Sequence, residues 1–143
     1  MLTGGCLCGE VRYDAGADSF HQSACHCSVC RRASGAPFVA WFSVPRANFR
    51  WRQGQAMSYA SSVHGTRSFC PRCGTQLTFE DSAYPDEVDV TTCSLDNPEQ
   101  LPPHSHIYTG TQLEWVKLAD GLPRYRGSRS EEEEPGGKAS RSD

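Results

Sequence analysis

The cysteines constrain this sequence more than any other feature, because seven of the eight lie in three tight clusters. The first cluster is a C-x-C pair and the last is a C-x-x-C pair, each followed by a glycine, whereas the middle cluster holds three cysteines. Thiolates that lie one or two residues apart on a tight turn can bind a single ion, and this spacing is typical of zinc sites. The clusters are Cys6 with Cys8, Cys25 with Cys27 and Cys30, and Cys70 with Cys73.

The two outer pairs predict a structural metal site. A tetrahedral structural zinc needs four ligands, and each pair supplies two. The simplest partition is a four-cysteine cluster, which we define as Cys6, Cys8, Cys70 and Cys73. Zinc bound there would connect two distant segments, and structural zinc contributes on the order of 10 kcal/mol to the folding of small metallo-domains.

The middle group predicts a different kind of site, and we define Cys25, Cys27 and Cys30 as the three-cysteine cluster. Three protein ligands and one open position are the pattern of a catalytic zinc. Three thiolates activate hydroxide poorly but suit an incoming substrate thiolate, which is a soft ligand. Two alternatives remain. A fourth protein ligand, Cys93 or one of the five histidines, could close the site, or the cysteines could form a disulfide.

The composition predicts a small apolar core. The strong core formers are 8 Leu, 8 Val, 6 Phe and 1 Ile, which make 23 of 143 residues or about 16%. Chains in which this share is below roughly 20% often fail to fold. A formal net charge of only −3 does not favour disorder. We therefore expect bound metal to supply much of the stability.

Short segments of alternating apolar and polar residues predict a mainly β fold. They lie at 10–13, 38–44, 76–79 and 88–91, separated by Gly, Pro, Asn and Asp. One short helix is predicted at 28–33 with Ser28 as its N-cap. Residues 128–143 are Ser-, Glu- and Gly-rich, which predicts a disordered acidic and polar tail after one folded domain at 1–127.

The sequence also predicts where the protein works. No apolar run approaches the roughly 20 residues that cross a bilayer, and the first residues lack the features of a signal peptide. We therefore expect a cytoplasmic protein with no membrane partner, in a compartment where cysteines are more often ligands than disulfides. The slightly acidic net charge also argues against a nucleic-acid partner.

The remaining candidate residues carry weaker signals. Cys93 has no cysteine neighbour, and we expect it to be a small buried apolar residue. The His26 side chain is expected to point away from the metal, toward hydrogen bonds behind it. His104 and His106 alternate along a predicted strand and are expected to be surface or structural residues. Core packing is expected for three tryptophans, Trp41, Trp51 and Trp115.

Taken in order with their flanks, these clusters resemble the glutathione-dependent formaldehyde-activating enzyme family, also described as the centromere protein V family, which has the Mss4-like fold. The opening strand of the family is similar to GCLCGEVRY at 5–13, and its central signature is similar to CHCSVCRRASGAPF at 25–38. Its second structural pair is similar to FCPRCGT at 69–75, and its C-terminal part to 94–96, 106–108 and Trp115. The resemblance covers residues 3–126, and this ordered set is far more specific than one C-x-x-C.

The resemblance implies a mainly β, Mss4-like domain of packed antiparallel sheets with a short helical turn, stapled by zinc. It implies two Zn²⁺ per chain, a structural one on Cys6, Cys8, Cys70 and Cys73 and a catalytic one on Cys25, Cys27 and Cys30. The implied activity is that of a carbon–sulfur lyase, the condensation of formaldehyde with glutathione to S-hydroxymethylglutathione and its reversal. The implied partner is a small-molecule thiol such as glutathione.

The same resemblance leaves the substrate contacts open. Candidate donors to the developing alkoxide are His26, Arg31 and Arg32. Gln112 stands where the family is expected to have a lysine, which removes a cation that could meet a substrate carboxylate. Two functions of other classes compete with the lyase: a non-catalytic zinc-stabilised binding module, and a thiol redox or metal-buffering protein. An open coordination position would distinguish the lyase from the binding module.

Overall fold

The computed structural model describes residues 1–128, and most of the predicted tail therefore lies outside the described residues. Within this range the chain forms one short α-helix, α1 (Ser28–Ser34), and ten strands. The strands are β1 (Leu2–Gly5), β2 (Arg12–Ala15), β3 (Phe20–Cys25), β4 (Val39–Pro45), β5 (Phe49–Gln53), β6 (Met57–Ala60), β7 (Gly65–Phe69), β8 (Gln76–Asp81), β9 (Glu87–Thr91) and β10 (Ser105–Ile107).

The described chain divides into two compact units. Unit 1 comprises Met1–His21 and Phe42–Leu101, and unit 2 comprises Gln22–Trp41 with the described part of Pro102–Asp143. The four-cysteine cluster belongs to unit 1 and the three-cysteine cluster belongs to unit 2. Each unit therefore contains one complete set of clustered cysteines.

Unit 1 is built from antiparallel strands. In one sheet β2 pairs with β1 and with β5. In the other, β6, β7, β8 and β9 pair in sequence order, each antiparallel to the next. Ser43 in β4 donates a hydrogen bond to Asp89 in β9, with an oxygen–oxygen distance of 2.5 Å. Because side chains alternate across a strand, each sheet turns one row of apolar residues inward.

The inward rows of unit 1 form one apolar core. Tyr13 in β2, Leu77 in β8 and Val90 in β9 are each fully buried. Cys6 and Cys70 belong to the same core, with 7% and 0% of their surface exposed. The other buried members are Leu2, Val11, Ala15, Phe42, Val44, Val88 and Leu95. Two cysteines of the four-cysteine cluster are therefore packed against apolar residues of this core.

A matched pair of valine substitutions measures the contribution of this core. Val90→Ala should lower the free energy of unfolding by about 2–3 kcal/mol, because it removes buried methyl groups and leaves a cavity. Val63→Ala removes the same groups from a side chain that is 93% exposed, and it should change the free energy by less than about 0.5 kcal/mol. Urea unfolding followed by circular dichroism measures both. Equal effects of the two substitutions would contradict this description of the core.

Unit 2 is organised around a parallel strand pair and the helix. Ser105 and Ile107 in β10 lie opposite Ser23 and Cys25 in β3. Helix α1 follows β3 after one tight turn, and it ends at Gly35, whose φ of 70° suits glycine. The expected N-cap at Ser28 is wrong by one residue. Cys27 is the N-cap, because its Sγ accepts a hydrogen bond from the backbone N–H of Cys30 and Ser28 is already helical.

The prediction of a mainly β fold with packed antiparallel sheets and one short helix is confirmed. The strand predicted at 10–13 begins at Arg12, two residues later than expected, because a turn around Gly9, with φ of 82°, follows Cys8. Along residues 1–128, none of the helices combines the length and the apolar character that crossing a membrane requires.

Candidate metal centres

The four-cysteine cluster brings together two turns of unit 1. Cys6 and Cys8 follow β1, and Cys70 and Cys73 follow β7. All four Sγ atoms lie within 4.8 Å of one another, with 3.6 Å between Cys6 and Cys8 and 3.8 Å between Cys8 and Cys70. All four cysteines are free thiols, so the short separations are not disulfide bonds. Four sulfur donors at these separations could hold one metal ion.

The backbone of both turns is shaped to support sulfur ligands. Val11 donates its N–H to the Sγ of Cys6 at 3.2 Å, and Cys73 donates its N–H to the Sγ of Cys70 at 3.5 Å. Each turn closes on a glycine with positive φ, 82° at Gly9 and 81° at Gly74. Such N–H groups stabilise negative charge on sulfur, and a positive φ is easily adopted only by glycine.

Thr75 connects the two turns. Its Oγ1 accepts a hydrogen bond from the backbone N–H of Leu7 at 3.0 Å, and it lies 3.2 Å from the Sγ of Cys73. The hydrogen bond from the Thr75 hydroxyl, followed by backbone N–H donors, lowers the pKa of the Cys73 thiol to about 5. A thiol with a lowered pKa loses its proton easily, and metal ligation requires the thiolate.

The three-cysteine cluster lies where β3 ends and α1 begins. Cys25 is the last residue of β3, Cys27 caps the helix, and Cys30 lies in its first turn. Their Sγ atoms lie within 4.8 Å of one another. Hydrogen bonds from the Cys25 and Cys30 thiols, with the backbone N–H groups of Cys30 and Val29, lower the pKa of the Cys27 thiol. The helix start therefore stabilises a thiolate in the middle of the cluster.

No fourth ligand joins this cluster from the described part of the chain. Among the His, Cys, Asp and Glu side chains of residues 1–128, Cys25, Cys27 and Cys30 are the ones whose ligand atoms come together here. His26 lies between two of the cysteines, but its Nε2 lies 2.9 Å from the Nδ1 of His106. Three thiols with no fourth protein donor are the set that a metal with one exchangeable position needs.

His26 is held from several sides. Its ring is fully buried and packs against Phe38, with 4.9 Å between the ring centroids. Its backbone N–H donates to the carbonyl of Ile107 at 3.0 Å, and its carbonyl accepts from Thr111 Oγ1 at 2.9 Å. Burial, together with the neighbouring His106 and Arg124, lowers the pKa of His26 to about 4. The expectation that this side chain makes hydrogen bonds is met by His106.

The comparison with protein families agrees with these two clusters. Residues 1–111 match the family described as Glutathione-dependent formaldehyde-activating enzyme. The chain belongs to this family. The matched range contains all seven clustered cysteines, and the family predicted from their order and flanks is confirmed.

The chain is also similar to individual proteins and to a solved structure. A Halomonas elongata protein named "Putative glutathione-dependent formaldehyde-activating enzyme" is 27% identical over 127 residues, covering 82% of this chain and 81% of that protein. A Schizosaccharomyces pombe protein named as an uncharacterized lyase is 34% identical over 76 residues, covering 53% of this chain and 55% of that protein. A crystal structure of a Rhodobacter sphaeroides protein has a TM-score of 0.56 and 26% identity, covering 69% of this chain and 94% of that one.

Two expectations about single residues are wrong. Cys93 is exposed, because it lies in a turn at Thr92–Ser94 rather than in the preceding strand, and it is therefore not a buried apolar residue. Trp41 is buried, and the half-buried Trp51 packs edge-on against Tyr13 and Phe49, but Trp115 is 68% exposed and supplies little core area. Of the two alternating histidines, His106 is buried in β10 and His104 is exposed before it.

Gln112, which stands where a lysine was expected, is hydrogen-bonded to a buried arginine. Gln112 is buried, and its Oε1 accepts a hydrogen bond from Arg124 Nη2 at 2.8 Å. Its Nε2 donates to the carbonyl of Val116 at 3.0 Å. A buried guanidinium is therefore present in unit 2, fixed by the glutamine that replaces the expected lysine.

Sequence reasoning missed two charged residues of unit 2, Asp120 and Arg124. Asp120 Oδ2 lies 2.8 Å from His106 Nε2, and Arg124 is 1% exposed. Neither residue belongs to a motif with recognisable spacing, and only the fold brings Asp120 to His106 and Arg124 to Gln112. A single arginine after a proline in a polar segment gives no sequence signal of burial.

Proposed function

We propose that this chain is a zinc-dependent enzyme of the carbon–sulfur lyase type that acts on the adduct of a small thiol with an aldehyde. The adduct of glutathione with formaldehyde is the first candidate substrate. The observation that carries the proposal is the three-cysteine cluster, whose three Sγ atoms have no fourth protein ligand among residues 1–128. Family membership supports the choice of thiol and aldehyde.

The donor sets fit zinc. Cysteine thiols outside any disulfide bond supply every ligand atom in both clusters, and a backbone N–H group donates to sulfur in each. Thiolate sets select soft or borderline metals, and cysteine with tetrahedral geometry is the usual choice for Zn²⁺. We therefore assign a structural zinc to the four-cysteine cluster and a catalytic zinc to the three-cysteine cluster. The catalytic zinc would supply Lewis acidity that lowers the pKa of a bound thiol.

The proposed reaction balances with no other reagent. In the forward direction the substrate sulfur forms a bond to the aldehyde carbon, the carbon–oxygen double bond becomes a single bond, and the thiol proton ends on the new hydroxyl. The enzyme has to hold the thiol without its proton and stabilise negative charge on the aldehyde oxygen. Both requirements are met by positively charged groups placed next to the bound thiolate.

The candidate donors to that oxygen are unequal. The His26 ring is fully buried and its Nε2 is engaged with His106, which makes it a poor direct contact for a substrate. Arg31 uses Nη1 to bind the carbonyl of Thr111 at 3.0 Å, which orders its guanidinium and leaves other N–H groups available. Arg32 is exposed one residue later in α1. We therefore assign oxyanion stabilisation to Arg31 or Arg32.

The decisive experiment follows the exchange of ¹³C-formaldehyde with its glutathione adduct by NMR, because this adduct also forms without a catalyst. Zinc-loaded protein should raise the exchange rate in proportion to its concentration. An exchange rate equal to that in buffer would overturn the proposal for this thiol, and repetition with other small thiols identifies the preferred one. A protein that binds thiols without raising any exchange rate would be a binding module instead.

A further inference from the structure

Three side chains of unit 2 form a series of hydrogen bonds that leads to the three-cysteine cluster. Asp120 Oδ2 lies 2.8 Å from His106 Nε2, and His106 Nδ1 lies 2.9 Å from His26 Nε2. The two histidines are 2% and 0% exposed, whereas the Asp120 side chain is 41% exposed. His26 is the residue between Cys25 and Cys27, so this series of hydrogen bonds ends at a residue flanked by two cysteines of the cluster.

The order of donors and acceptors follows from the carboxylate. An ionised carboxylate only accepts hydrogen bonds, so His106 must carry its hydrogen on Nε2. In a neutral imidazole the other nitrogen is then an acceptor, so His26 must donate from Nε2 to His106 Nδ1. The Nδ1 of His26 is left as a lone pair, and this buried atom has no hydrogen-bond partner within residues 1–128. Asp120 thereby selects one tautomer of His26 through two successive hydrogen bonds, with His106 between them.

The same part of unit 2 fixes the backbone of His26. Its N–H is bonded to Ile107 at the end of β10, and its carbonyl is bonded to the Thr111 hydroxyl. The ring and the peptide groups between Cys25 and Cys27 are therefore held by residues 106–120. Side chains behind a metal site that orient its ligands in this way commonly change metal affinity or activity 10–100-fold when they are removed.

We propose that Asp120 and His106 are positioning residues of the three-cysteine cluster. They act through His26, whose tautomer and ring orientation they fix, and they hold Cys25 and Cys27 in the arrangement that binds the metal. The proposal concerns the direction of hydrogen bonds between neutral rings and involves no change of charge. It rests on the proposed function only in taking the three-cysteine cluster as a metal site.

The first test reads the tautomers directly. In zinc-loaded protein labelled with ¹⁵N-histidine, long-range ¹H–¹⁵N spectra at about pH 8, where neutral imidazole is the common form, report which nitrogen carries hydrogen. His26 and His106 should both carry it on Nε2, and a coupling across the hydrogen bond should join His26 Nε2 to His106 Nδ1. Hydrogen on Nδ1 of either ring would overturn the proposal.

The second test measures positioning with matched variants. Asp120→Ala should lower the affinity for the more weakly held of the two zinc ions about tenfold, as measured by competition with a chelator. It should also shift the ring nitrogen signals of His26. Asp120→Glu restores a carboxylate and should recover most of both properties. Asp86→Ala removes the same charge from an exposed aspartate of unit 1 and should change neither property. Zinc affinity in Asp120→Ala equal to that in Asp86→Ala would overturn the proposal.

These outcomes are independent of turnover. A wild-type protein with the expected tautomers and zinc affinities but no thiol–aldehyde exchange would contradict the proposed function alone. An active protein whose His26 carries hydrogen on Nδ1 would contradict the positioning proposal alone.

Discussion

Cys70→Ser should lower the free energy of unfolding by more than about 4 kcal/mol and reduce the zinc content from two ions to one. Cys70 is fully buried in the core of unit 1 and lies within 4.8 Å of three other sulfur atoms. Its loss removes most of the metal contribution to folding, which is on the order of 10 kcal/mol for structural zinc. Urea unfolding and elemental analysis measure the two effects.

The chain supplies its own control for this substitution. Cys93 is an exposed thiol outside both clusters, so Cys93→Ser makes the same atomic change away from any ligand set. It should leave the unfolding midpoint and both zinc ions unchanged. A Cys70→Ser protein that keeps two tightly bound zinc ions and the wild-type midpoint would show that the four-cysteine cluster is not a structural metal site.

Cys27→Ser should abolish catalysed exchange between formaldehyde and its glutathione adduct while most of the fold remains. Cys27 belongs to the cluster of unit 2, and the core of unit 1 does not depend on it. The zinc content should fall to one ion. The loss of stability should stay below about 2 kcal/mol, because serine is itself a preferred N-cap whose Oγ can accept the Cys30 N–H, so only a thiolate of the cluster is lost. NMR exchange rates and urea unfolding, measured on one preparation, test both statements.

Comparison of the two variants tests the division of labour between the clusters. Cys27→Ser and Cys70→Ser should differ most in the unfolding midpoint, with Cys93→Ser as the common reference. If both variants unfold at the same urea concentration and lose the same fraction of activity, the assignment of one structural and one catalytic site is wrong.

The cysteine clusters were predictable because ligand spacing is a local property of sequence. Two thiols separated by one or two residues must lie close together, whatever the rest of the chain does. The pairing of Cys6 and Cys8 with the distant Cys70 and Cys73 followed from the count of four ligands, and the structure brings these atoms together. The mainly β character was likewise predictable from period-two alternation, and several predicted strands overlap observed ones.

The rest depended on tertiary structure. β6 buries no side chain and β1 is half glycine. Neither therefore contains the row of buried apolar residues that makes a strand recognisable in a sequence. Asp120 lies in a polar segment whose sequence resembles an ordinary loop, and its role depends on a contact with His106. Cys93 was misjudged although the strand before it ends where the alternation predicted, because the turn at Thr92–Ser94 that follows leaves this residue exposed.

Because the Cys27 thiol caps α1, a chemical change at its sulfur also affects the backbone at the start of the helix. A seven-residue helix is too short to persist in water by itself, and this one starts at a thiol that also belongs to the three-cysteine cluster. Oxidation of Cys27 to a sulfenic acid would remove one thiolate of the proposed metal site and weaken the helix cap in one event. Oxidative damage at this atom would therefore spread into the first turn of the helix, displace Cys30 as well, and make re-reduction a condition for reassembly.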